Sequence, residues 1–227
     1  MPSSGTARRA WVMALCMAAL GAAGTRAGAQ RCDDEHYRWA AKTTVALRES
    51  APHRTTVSSM LDWPPRDLFR PAIGHPDCTA REGREIEVFE VTGWVRAWKV
   101  ETGAHGDLDW HIELTASDTG APARCVVAEI PDPRYGIVFD SARAALITLL
   151  RESKPESRET PPIRITVIGP AFFDGEHRGS RMSGSPPSGH GNCNASASAL
   201  WEIHPVYRVI APSAREDPSP TVPHRLP

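Results

Sequence analysis

The chain carries none of the short motifs that announce a catalytic class. It has no HExxH helix, no GxSxG elbow and no glycine-rich phosphate loop. Its cysteines show no paired CxxC spacing of the kind that holds structural zinc. A membrane-spanning helix needs roughly 20 unbroken apolar residues, and Gly21, Gly24, Thr25 and Arg26 cut short the apolar stretch near the N-terminus. A charge excess is lacking too, with 26 Lys and Arg against 27 Asp and Glu in 227 residues. No global field therefore holds a nucleic-acid backbone, and such binding would need a local patch. No internal repeat is visible.

The N-terminus does have the parts of a secretory signal peptide in order. Arg8 and Arg9 open it, Ala10 to Ala23 form a mostly apolar stretch without charge, and Ala27-Gly28-Ala29 supplies the small residues a signal peptidase reads. Residues 1–29 are expected to be removed, leaving Gln30 first and no transmembrane segment in the mature chain. A lipid anchor on Cys16 is rejected, because Leu15 stands where a small residue is expected. Three basic residues and no acidic ones lie in that segment, so the mature formal charge is −4. The expected location is the periplasm or the medium.

Export changes how the cysteines read. Cys32, Cys78, Cys125 and Cys193 remain in the mature chain, an even number in an oxidising compartment, which points to two disulfides. Three connectivities are possible, and Cys32–Cys78 with Cys125–Cys193 is favoured. The first pair brackets the N-terminal segment and the second lies within the later β region.

Residues 30–78 read as an N-terminal helix over 31–50 followed by a Pro-rich connector over 62–78, with a capped helical turn between Thr55 and Leu61. From Glu85 the pattern becomes β. Glu85 to Glu101 alternates as a strand, and DLDWHIELTA alternates most clearly, with Asp109, His111 and Glu113 opposite Trp110, Ile112 and Leu114. CVVAEI is a third strand, residues 139–152 form the strongest helix, and IRITVIG and ALWEIHPVYRVI are the last strands. Trp94 and Trp98, four apart, are expected on one side of the first strand, and Trp110 in the core. Residues 178–199, rich in Gly, Ser and Pro, read as a mobile loop, and 212–227 as a disordered Pro-rich tail. The order β-β-β-α-β-β over 79–211 is that of an OB-fold barrel, mainly β, with the N-terminal helix beside it. Another small α+β sheet is the rival.

Four segments concentrate polarity inside β structure. They are DLDWHIEL with Asp109 and His111, VVAEIP with Glu129, FFDGEH with Asp174 and His177, and WEIHPV with Glu202 and His204. The second and third strands of such barrels supply much of the usual ligand face. Imidazole and carboxylate suit a divalent ion such as zinc, with His111, His177 and His204 as ligands beside Glu129 or Asp174. An open position on that ion would activate water. The same groups would equally form a metal-free surface for a polar ligand, or tie strands to loops through buried hydrogen bonds. Asp174 before Gly175 also suits a plain turn.

The segments TTVSSML, GREIEVFEVTGWV, DLDWHIELT, VVAEIPDP, GPAFFDGEH and WEIHPV resemble those of an uncharacterised, mostly bacterial family with an OB-like core. Its motifs take the form D-x-D-x-H, A-E-[FI]-P, F-F-D-x-x-H and E-[LI]-H-P-V. The resemblance covers about residues 55–210. It implies that Asp109, His111, Glu129, Asp174, His177, Glu202 and His204 stand at signature positions, and it brings no activity with it. The reading that results is an exported binding module for a small or polymeric extracytoplasmic ligand. A metal-dependent hydrolase acting on phosphodiesters and a purely structural envelope domain are the alternatives.

Overall fold

Strand β2, Val88–Val100, is the longest among the described residues and pairs along both of its edges, and this closes the sheet. The structure is a computed structural model and describes residues 36–66, 79–102, 106–119, 124–151, 163–178, 193 and 200–212. Along one edge β2 pairs antiparallel with β3, Trp110–Thr115, which pairs in turn with β4, Cys125–Ile130. Along the other it pairs antiparallel with β5, Ile163–Phe173. Strand β6, Trp201–Ile203, fills the gap, parallel to β4 and antiparallel to β5. The ring β2-β3-β4-β6-β5 is a closed five-stranded barrel. With a helix between its third and fourth strands, it has the OB-fold order expected from the sequence.

Alternation decides which residues fill the barrel. Val91, Val95, Ile112, Leu114, Val126, Ala128, Ile130, Ala171, Phe173 and Ile203 form its core. The register of β2 against β3 shifts between Val95 and Ala97. This bulge reverses the parity of the strand, a known use of one extra residue. Trp98 therefore enters the core, fully buried, while Trp94 stays on the opposite parity and half-buried. The two tryptophans do not share a face, contrary to the simple spacing. Trp110 packs with Trp98, ring centroids 5.4 Å apart, as its place among the apolar residues of β3 predicts.

Helix α3, Ile137–Leu150, buries Phe139, Ala142, Leu146 and Leu150 against the same core. These positions recur at helical spacing, and Phe139 stacks on Tyr207. The last strand breaks in two. After β6 the chain turns at His204-Pro205, where proline has no N–H to continue a ladder, and β7, Arg208–Ile210, returns to pair with β5. The turn passes so close over Gly169 that a Cβ there would lie 2.2 Å from the Pro205 carbonyl oxygen, so only glycine fits.

The N-terminal region differs most from expectation. Of the helix expected over 31–50, the described part retains only α1, Trp39–Lys42, followed by turns. The β-branched run Thr43, Thr44 and Val45 disfavours continuation, and Arg38 enters α1 in the left-handed region. The 55–61 turn is present as β1, His53–Thr56, parallel to β2, leading into α2, Val57–Leu61, with the Thr56 hydroxyl accepting from the Ser59 amide at 3.1 Å. Cys125 and Cys193 form a disulfide across 68 positions of sequence. Cys32 and Cys78, most of the 178–199 segment and the tail from 213 lie outside the described residues.

Candidate functional site

The parity that sends Ile112 and Leu114 inward sends His111 and Glu113 to the outer wall of the barrel. His111 stands opposite Glu129 in the β3–β4 register, and Val127 opposite Glu202 in the β4–β6 register. Asp109 immediately precedes β3, and His204 immediately follows β6. Asp109, His111, Glu129, Glu202 and His204 thus gather on one outer patch from three adjacent strands. An outer wall normally faces water, yet each of these residues is at most 1% exposed. The apolar cover comes from Tyr37 and Ala41, packed on Phe172, and from Cys193, packed on Cys125 and Val127.

Glu129 is the centre of the patch. Its Oε1 lies 2.9 Å from His111 Nδ1, and its Oε2 lies 3.0 Å from His204 Nδ1. The other faces of both rings meet further carboxylates. His111 Nε2 is 3.5 Å from Glu113 and its Nδ1 is 3.5 Å from Glu101. His204 Nε2 is 3.1 Å from Asp109 Oδ2 and its Nδ1 is 3.4 Å from Glu202. Five carboxylates therefore surround two imidazoles. The Asp109 carboxylate meets His204 only as an ion pair and accepts no hydrogen bond among the described residues.

This crowding sets the protonation states. Burial pulls the His111 pKa down, but hydrogen bonds to Glu113 and Glu129 and the charge of Glu101 outweigh it and lift it to about 9. His204 is raised well above its ordinary value. There too burial opposes the shift, and Asp109, Glu129 and Glu202 override it. Burial raises Asp109, partly offset by His204. Burial also lifts Asp107 to about 6, with help from the charges of Asp109 and Glu129. Without another cation, both imidazoles are protonated at neutral pH.

Asp174 and His177 lie beside this patch and pair with each other. Asp174, at the end of β5, is fully buried and lies 3.1 Å from Lys42 Nζ and 3.2 Å from His177 Nδ1. Lys42 is buried, and the charges of Asp174, Glu202 and Glu129 outweigh its desolvation and raise its pKa. Two sets of three donor residues fit a metal ion here, Asp109–Glu129–His204 and Glu101–His111–Glu129, with donor atoms within 4.8 Å of one another. A third, Glu113 with Cys125 and Cys193, is ruled out because disulfide sulfurs offer no thiolate. Among the described residues no such set unites His111, His177 and His204, since His177 turns to Asp174 instead.

Sequence reasoning missed Glu101 and Lys42 as members. Glu101 sits just past the end of β2, where no pattern singles it out, and Lys42 arrives from the N-terminal segment. Glu113 was legible from the alternation of β3, on the same face as His111. No protein-family model matches the chain, and no curated protein matches it.

Proposed function

We propose that this chain is an exported binding module of the resembled OB-like family, and that its ligand is a divalent cation held on the outer wall of the barrel. The observation that carries this reading is the Asp109–Glu129–His204 set. Its three buried donors, Asp109 just before β3, Glu129 on β4 and His204 just after β6, lie within 4.8 Å of one another, and among the described residues the Asp109 carboxylate accepts no hydrogen bond and meets the His204 ring only as an ion pair. A carboxylate this deeply buried needs a cation beside it, a place that the His204 imidazolium fills in the metal-free chain and that a divalent ion would fill more strongly. Imidazole with carboxylate suits zinc, and manganese next. Cys125–Cys193 braces the cover of the site, consistent with an oxidising compartment.

The test uses the exported chain, purified without an affinity tag and stripped with a chelator. Added Zn²⁺ at 100 times its Kd should stabilise the fold by about 2.7 kcal/mol, seen as a higher unfolding midpoint. Binding by calorimetry should reach at least one equivalent. Asp109→Asn, with unchanged circular dichroism, should lose that ion. No heat, no uptake and no shift with either Zn²⁺ or Mn²⁺ would overturn the reading and leave a structural polar network.

A further inference from the structure

Resting on that reading, the geometry points to a pair of divalent ions, not a single one, bridged by the two carboxylate oxygens of Glu129. The two three-donor sets share only this residue. Glu129 directs Oε1 to His111 and Oε2 to His204, so each set takes a different oxygen of one carboxylate. Such a bridge holds two ions roughly 3.5–4 Å apart in two-metal sites.

The His111 set has the spacing an ion requires. With metal–ligand bonds near 2.0–2.1 Å, tetrahedral donors stand about 3.3 Å apart. His111 Nδ1 is 2.9 Å from Glu129 Oε1 and 3.5 Å from Glu101 Oε1, so little movement admits the ion. The opposite ring nitrogen, Nε2, faces Glu113 at 3.5 Å. An ion on Nδ1 would let Nε2–H turn to that outer carboxylate, the contact that orients metal-bound histidines.

Charge favours the pair. Five carboxylates crowd the patch. One divalent ion offsets two of their charges, and a second brings the offset to four, closest to neutral for the buried group. The two positions also differ in access. Asp109 and His204 are fully buried, whereas the Glu101 side chain is 27% exposed, so the His111 ion is the one nearer solvent and the more readily exchanged.

The experiment is metal stoichiometry on the stripped chain reloaded with Zn²⁺ and, separately, with Mn²⁺. Two ions per chain are expected, with an exchange-coupled Mn²⁺ signal by electron paramagnetic resonance. Glu101→Gln, at a partly exposed position that leaves the fold intact, should release one ion and turn the signal into that of isolated Mn²⁺. Glu129→Gln should remove the coupling altogether. One ion per chain in the wild type, retained in Glu101→Gln, would overturn the pair while leaving the cation-binding reading standing. No ion at all would overturn both.

Discussion

Two buried ionic clusters flank Phe172, and they are built on opposite plans. In the first, Glu85 is fully buried and receives Arg38 through two hydrogen bonds of 2.7 and 2.8 Å, Arg66, and the Phe173 amide at 2.8 Å. One acid is met by two guanidiniums, whose planar forks suit a carboxylate. In the second, five carboxylates crowd two imidazoles, groups that can surrender a proton and take a metal. The contrast separates a joint from a site. Arginine locks Glu85 for good, while histidine leaves the Glu129 cluster open to exchange. Arg81 extends the first plan. It donates to the carbonyls of Ala41, Glu85, Ala171 and His204 and ties the N-terminal cover to the barrel.

The largest expected effect tests the joint. Glu85→Gln leaves the fully buried Arg38 guanidinium without its counterion, while Arg66 keeps Glu82, and should cost about 3–5 kcal/mol in urea unfolding, whether or not metal is present. A cost below about 1 kcal/mol would mean that the first cluster is not structural. Next comes the disulfide. The Cys125–Cys193 loop of 68 residues predicts a loss of about 2–4 kcal/mol on reduction. Because Cys193 packs on the outer wall beside Glu113, reduction should also speed metal loss.

Proton linkage sharpens the comparison further. His111 has a folded pKa of about 9 against an ordinary 6.5, so the folded state holds its proton more tightly than the unfolded chain. The stability it adds is complete below about pH 6.5 and is lost as pH rises through about 9. Chelator-treated protein should therefore weaken by a few kcal/mol across that window, and His111→Gln should flatten the profile. A flat wild-type profile would contradict the crowding described for His111. Smallest is the metal-free cost of Glu129→Gln, at most about 2 kcal/mol, because the variant lowers an excess of like charge while keeping the side chain's shape. A cost matching that of Glu85→Gln would erase the distinction between the clusters.

Much of this arrangement was legible in the residues. The alternation of DLDWHIEL placed Asp109, His111 and Glu113 on one face, and the β-β-β-α-β-β order led to the barrel that closes. Local periodicity carries that much, because each strand must present one face to a core. It does not say which wall a polar face joins, nor that an outer wall will be covered. The cover comes from Tyr37 and Ala41, contacts made across more than a hundred residues of chain, and their segment reads as helix until tertiary packing shortens it to one turn. The bulge at Val95–Ala97 was equally invisible, since one extra residue leaves no mark on composition. Asp174 and His177 were singled out on the same grounds as the others, yet they fall beside the patch and pair with Lys42 and each other.

The most direct test of the account is elemental analysis of the untagged chain beside its Glu129→Gln variant, both checked for fold by circular dichroism. Zinc or manganese at one equivalent or more in the wild type, and under a tenth of that in the variant, is the predicted result. Equal metal in the two, or none in either after reloading, would contradict it.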